Sequence, residues 1–304
     1  MIEAGLLVLD KTAGVTSFDA VSLVRRRLGI RRVGHAGTLD PDATGVLPML
    51  LGEATKLMAY LTDQDKEYVA TLRLGVTTDT GDCGGRVIAE APVPFLDWAR
   101  VEQACRSFVG RIKQVPPMFS AVHHAGRRLY ELAREGREVE REPREVVIHT
   151  IDAEDLSPPH LRLRVVCGKG TYLRTLAADL GSALGCGAAV ERLVRTRVGP
   201  FPLDEAVPWT ALQTDPPAIL WARVRSADDA LAGWPAARLD ARAAARFEHG
   251  QAVETAPPRT SPGSLVRVYA AGRFLGVGEV VDGGRTRPVR MLHADRPGTR
   301  VRPA

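Results

Sequence analysis

The sequence predicts an α+β protein: a mixed, largely antiparallel sheet with helices, followed by a small C-terminal β-barrel. Three observations carry this. Strand-like and helix-like stretches intermingle without the regular alternation of a doubly wound sheet. Short β-rich runs punctuated by glycine gather after Ser264. A chain of 304 residues exceeds what one compact core usually holds, so two domains are expected, 1–235 and 236–304.

Taken in order, Leu6–Leu9 reads as a strand, and Thr16 can cap the helix that follows, with Asp19 three residues on. Phe18, Val21, Val24 and Leu28 recur at helical spacing as its buried face, and Arg25, Arg26 and Arg27 crowd the end that favours cations. A glycine-rich loop runs from Gly34 to Gly45. Tyr68–Leu74 is rich in β-formers and is followed by turn residues from Thr77 to Asp82. Trp98–Phe108 reads as a helix, Val146–Ile151 and Leu161–Cys167 as strands, and Thr171–Leu184 as an amphipathic helix. Residues 202–235, rich in Pro, Ala and Asp, read as a linker or docking segment. Beyond them Leu265–Tyr269, Phe274–Gly278 and Glu279–Val281 read as three short strands of the barrel.

Net charge is +5, and it is unevenly placed. From Ala236 onward twelve arginines face six acids, giving +6 and leaving about −1 for the rest. A second basic block spans Leu161 to Arg197. Such patches suit a polyanion, and equally a solvated face. The apolar run at the N-terminus is too short for a signal peptide and no run reaches membrane length, so a cytoplasmic protein with no membrane association is expected. Cys83, Cys105, Cys167 and Cys186 lack zinc-ligand spacing and are expected to be buried, reduced thiols.

Several chemistries fail on their motifs. Gly168-Lys169-Gly170-Thr171 lacks the spacing of a phosphate loop, and Gly185-Cys186-Gly187 lacks the third glycine of a dinucleotide site. His-x-Glu with Pro-Cys-x-x-Cys and Gly-x-Ser-x-Gly are absent. No cofactor and no metal are expected.

One segment stands apart, Gly34-His35-Ala36-Gly37-Thr38-Leu39-Asp40-Pro41-Asp42-Ala43-Thr44-Gly45. Glycines permit tight turns and close ligand approach, Pro41 stiffens the chain after the acid, and a rigidly held Asp can act as a nucleophile. By composition alone a plain surface turn is also open.

This run resembles the active-site motif of the bacterial TruB family of tRNA pseudouridine synthases, Gly-His-x-Gly-x-Leu-Asp-Pro-x-Ala-Thr-Gly, at every fixed position. Further segments are similar to the family in the same order. Lys11-Thr12-Ala13-Gly14-Val15-Thr16-Ser17 has Thr12 for the usual proline. Asp65-Lys66-Glu67-Tyr68 leads to Gly75–Thr80. Val115–Ala121 resembles Pro-Pro-x-Tyr-Ser-Ala, with Val122-His123 replacing the commoner Leu-Lys. Gly170-Thr171-Tyr172-Leu173-Arg174 and Leu193–Phe201 complete the set. The resemblance is dense over residues 5–201 and returns weakly after Ala236, where the chain looks like a PUA RNA-binding domain.

The resemblance implies a cofactor-free isomerase that flips uridine 55 out of the T-arm loop of tRNA. It implies Asp40 as nucleophile, Arg174 as its ionic partner, and Tyr68 against the target base. Leu193 then belongs to the pocket wall, His35 to the RNA loop contact, Tyr172 to the substrate side and Lys11 to the support of the catalytic loop. Residues 111–145 resemble the RNA-gripping insertion of stand-alone enzymes, which implies a monomer with no obligatory protein partner and a secondary role in tRNA folding. Two other classes share these residues: an RNA-folding protein with dispensable chemistry, and a guide-RNA-dependent synthase.

Overall fold

The structure is a computed structural model that describes residues 4–120, 122–124, 126–255 and 260–292. Ala121, Arg259, Arg296, Arg300 and Arg302, which figure in the sequence reading, lie outside them. Among the described residues eleven strands form the principal sheet. Its central path runs Val207–Pro208, Ala4–Lys11, Thr44–Gly52, Ala188–Val198, Lys66–Leu74, His160–Cys167, Arg144–Ser157 and Gly110–Gln114. Most neighbours are antiparallel, while Val194 and Arg195 lie parallel to Thr44 and Gly45, so the sheet is mixed.

The first helix, Ser17–Leu28, begins at a full capping box. Thr16 Oγ1 accepts from the Asp19 amide at 3.1 Å, and Asp19 accepts from the Thr16 amide at 2.9 Å. Its buried stripe is Ser17, Ala20, Val21, Val24 and Leu28, spaced i, i+3, i+4, i+7 and i+11. Phe18 is not part of it and is 67% exposed. Helical spacing permits Ser17 to lead the stripe, and Ser17 is drawn inward by hydrogen bonds to Leu39. The helix Leu173–Leu184 repeats the pattern with Leu173, Leu176, Ala177, Leu180 and Leu184. Both helices pack on one face of the sheet against Leu7, Leu9, Leu72 and Leu163.

Four sequence expectations change in detail. The strand expected at Val146–Ile151 runs from Arg144 to Ser157; past Ile151 only Ala153 and Leu156 are apolar, set among acids, so the signal there is weak. Phe274–Gly278 and Glu279–Val281 form one strand, Arg273–Val281. The glycines there serve close approach to the neighbouring strand: a Cβ on Gly276 would lie 2.0 Å from the Arg290 carbonyl. Cys83 is exposed, whereas Cys105, Cys167 and Cys186 are buried. The C-terminal sheet is a curled half-barrel in the order Ala236–Leu239, Leu265–Ala270, Arg273–Val281, Arg285–Met291 and Val253–Glu254. It also carries a helix that the sequence reading did not anticipate, Ala241–Glu248.

Residues 202–235 lie along the sheet. Val207 pairs with Leu9, and Ser226 with Gly5. The C-terminal half-barrel packs on the face opposite the two helices: Val277 and Leu292 share a core cluster with Leu6, Val8, Leu50 and Phe201. Lys56 Nζ donates to the Met291 carbonyl at 2.8 Å, and Tyr269 Oη donates to Asp228 at 2.6 Å. Between Gly110–Gln114 and Arg144–Ser157, which pair antiparallel, the inserted segment holds a small hairpin and the short helix Leu129–Arg134. No helix among the described residues is long and apolar enough to cross a membrane.

Candidate active site

The loop bearing Asp40 joins the short strand Val33–His35 to the long strand Thr44–Gly52. Several of its backbone groups have fixed partners. The Ala36 amide donates to Pro48, the Leu39 amide to Ser17 Oγ at 3.0 Å, and the Gly14 amide to the Pro41 carbonyl. Lys11 is fully buried, and its ammonium donates to the Thr12, Val15 and Pro41 carbonyls at 2.8–2.9 Å. Burial pushes its pKa down to about 8, against the pull of Asp42 and Asp40. At the end of the loop, Gly45 has φ +102°, and a Cβ there would sit 2.2 Å from the Arg195 carbonyl. Only glycine lets the two strands approach so closely.

Arg174 stands in the first turn of the helix Leu173–Leu184. Its Nε meets Asp40 Oδ2 at 2.9 Å and its Nη2 meets Oδ1 at 3.2 Å. The same guanidinium donates to the Phe119 carbonyl at 2.8 Å and the Thr80 carbonyl at 3.0 Å, and lies 3.8 Å from Asp82. Five donors in a planar fork suit such a set of acceptors. The burial is one-sided: the Arg174 side chain is 7% exposed and that of Asp40 42%. In the free protein the arginine is the buried partner and the carboxylate opens outward.

Tyr68 is buried on the strand Lys66–Leu74, opposite Arg195 in the sheet register. Leu193 pairs with Ala70, so Tyr68, Ala70, Leu193 and Arg195 share one sheet face. Burial raises the Tyr68 pKa, while the Arg195 cation counters it and Asp40 adds to it. Tyr172 occupies the position before the helix. Its amide donates to Gln114 Oε1 at 3.0 Å, and burial raises its phenol pKa within reach of Arg174 and Asp40. His35 is half-buried opposite Met49, and burial together with the Arg195 charge lowers its pKa, favouring the neutral ring. Asp40 and Arg174 are thus in direct contact, Tyr68, Tyr172 and Lys11 lie near enough to feel the Asp40 charge, Leu193 shares the sheet face of Tyr68, and His35 stands on the strand leading into the loop.

Two residues in this constellation escaped the sequence reading. Asp82 appeared there only as a turn residue, yet it lies beside Arg174 and accepts from Thr80 Oγ1 at 2.8 Å. Arg195 appeared only inside a motif, yet it is 1% exposed and donates to three carbonyls around the loop. Strand alternation, which puts Arg195 on the same face as Leu193, was the available signal for the second.

The chain is 47% identical over 291 residues to tRNA pseudouridine synthase B of Aromatoleum aromaticum, covering 96% of this chain and 93% of that protein. It is 48% identical to the protein of that name from Dechloromonas aromatica, covering 95% of each. Residues 25–173 match the N-terminal domain of TruB family pseudouridylate synthases. The chain belongs to the TruB family. Residues 174–231 match the tRNA pseudouridylate synthase B C-terminal domain, and residues 235–292 match the C-terminal domain of pseudouridine synthase II TruB. Among solved structures, the fold is similar to a chain of an H/ACA RNP bound to a substrate RNA containing 2'-deoxyuridine. There the TM-score is 0.71 at 22% identity, over 95% of this chain and 85% of that one. A Cbf5-Nop10-Gar1 complex gives a TM-score of 0.70 at 25% identity, over 94% of this chain and 83% of its counterpart. The expected fold, a pseudouridine synthase sheet followed by a small PUA-like β-domain, is the one found, the expected barrel being a curled half-barrel, and the TruB family's reaction is an isomerisation.

Proposed function

We propose that this TruB-family protein converts uridine 55 in the T-arm loop of tRNA to pseudouridine, with Asp40 as nucleophile. The observation that carries the reading is the two-point ion pair between a buried Arg174 and an outward-facing Asp40, beside Tyr68. The names of the curated relatives support tRNA as the substrate.

In the reaction the C1′–N1 bond of the uridine breaks and a C1′–C5 bond forms. The proton on C5 leaves and N1 takes one up, so no atom is gained or lost overall. A base flipped from its helix can stack on the Tyr68 ring with Leu193 as the opposing wall. Arg174 holds the Asp40 carboxylate aimed as substrate displaces water. Asp40 then attacks the nucleotide at C1′ of the sugar or C6 of the base, with the Tyr68 ring held against the base as the C5 proton leaves. Lys11 holds the loop, Tyr172 lines the substrate side, and His35 meets the RNA loop as a neutral donor or acceptor. Residues 1–235 form the catalytic unit, acting as a monomer without an obligatory protein partner, and residues 236–304 grip RNA outside the loop.

The test is incubation of the purified protein alone with an unmodified tRNA transcript, with pseudouridine mapped by position. Conversion at uridine 55 is expected. Asp40→Asn should lower the rate by on the order of 10⁶ with little change in RNA affinity. No conversion by the protein alone, or an Asp40→Asn variant within about tenfold of wild type, refutes the reading.

A further inference from the structure

Arg195 is among the largest fully buried side chains described; it donates to three backbone carbonyls and also meets the Tyr68 side chain. Nε donates to Val46 at 2.7 Å, Nη2 to Gly37 at 3.0 Å and Nη1 to Thr38 at 3.4 Å. Two of these carbonyls stand just before Asp40 and one just after the loop closes. In the sheet, Arg195 is opposite Gly45 on one side and Tyr68 on the other. Lys11 and Ser17 tie the same loop to the first strand and first helix. Arg195 ties it to the strand paired with Tyr68.

A buried guanidinium whose bonds go mainly to carbonyls costs desolvation that a neutral side chain in a sheet would avoid. What it supplies is a rigid planar fork with three nitrogens in fixed relation. We propose that Arg195 is a positioning residue for the isomerisation: it sets the Asp40 loop and the Tyr68 ring in one frame, so that both meet the same flipped nucleotide. Its effect on catalysis passes through those two groups and not through contact with the RNA. The inference rests on the roles proposed above for Asp40 and Tyr68.

The experiment compares wild type, Arg195→Lys and Arg195→Ala on an unmodified tRNA transcript. It reads the single-turnover rate at saturating enzyme, RNA affinity by filter binding, and the melting transition. Arg195→Ala should lose about a hundredfold in rate, the scale of a small misplacement of reacting groups, with affinity within about threefold. Arg195→Lys, which keeps the charge and loses the fork, should fall between the two. Added guanidinium ion, at concentrations that leave wild type unaffected, should restore about tenfold of the Arg195→Ala rate by refilling the vacated site. A rate within about threefold of wild type in either folded variant overturns the proposal, as does a loss confined to RNA affinity or a loss that guanidinium leaves unchanged. If Arg195→Ala does not fold, Arg195→Lys decides by the same criteria. Failure of the wild-type protein to form pseudouridine would instead count against the proposed function.

Discussion

Arg174 grips both oxygens of Asp40, at 2.9 and 3.2 Å, from a position almost closed to solvent, while the carboxylate itself is 42% exposed. The cation is anchored independently of the acid, through the Thr80 and Phe119 carbonyls. The carboxylate is therefore already oriented in the free protein, and the arginine needs no rearrangement to hold it.

Arg174→Lys should consequently be severe. Lysine keeps the charge but cannot reach Asp40, Thr80 and Phe119 together. The rate should fall about a thousandfold, as when an oriented donor is removed from an active site. The melting temperature should also drop, because two buried carbonyls lose their partner. Single-turnover kinetics with a parallel melt check both, and a near-normal rate would show that Asp40 is oriented by other means.

Lys11 gives a pH dependence of defined sign. Its folded pKa is pushed down to about 8 from the ordinary 10.5. Between those values the unfolded chain holds a proton that the folded chain has released, so raising the pH favours folding. Below pH 8 both states are protonated and the full cost of burying the charge remains. The unfolding free energy of wild type relative to Lys11→Met should therefore rise from pH 8 to about 9.5, by on the order of 1 kcal/mol. Lys66, also lowered to about 8, is present in both proteins and cancels in the difference. Urea denaturation across the window measures it, and a flat or falling difference contradicts the buried ammonium.

Gly45→Ala should destabilise by about 3 kcal/mol, combining a left-handed backbone with a side-chain carbon forced into the Arg195 carbonyl. A chemical-denaturation midpoint suffices to measure it. A loss below about 1 kcal/mol would mean that the two strands separate easily at this point.

Deleting the C-terminal half-barrel would expose Leu6, Val8 and Leu50, which share a core cluster with Val277 and Leu292. Substitution in place is the cleaner test. Arg285, Arg287 and Arg290 are exposed on one strand. Changing all three to Gln should weaken tRNA binding and make its salt dependence shallower by about 2 in the log–log slope. The single-turnover rate at saturation should hold. An unchanged slope would mark these arginines as solvated surface.

Much of the fold was legible because its signals are short-range. Thr16 with Asp19, and Gly29 and Gly185 in left-handed conformation at the helix ends, bound two helices within a few residues. Phe18 was misread because spacing alone cannot say which of two neighbouring residues leads a buried stripe. The packing of Ser17 on Leu39 decides it.

The sequence by itself determined the Asp40 loop, the strands around Leu6–Leu9, Tyr68–Leu74 and Leu161–Cys167, the helices that follow Thr16 and Thr171, and the family. These depend on residue identity along a contiguous stretch. Only the tertiary structure decided that Arg174 would be buried and Asp40 open, that Asp82 would join them, and that Arg195 would span Gly37, Thr38 and Val46. Those relations join positions 134 residues apart in one case and up to 158 in another. A buried cation satisfied mainly by carbonyls leaves no acidic partner to recognise, since every residue carries the same carbonyl. Which carbonyls it meets is set by strand pairing, and strand pairing is settled only when the whole sheet closes around its core.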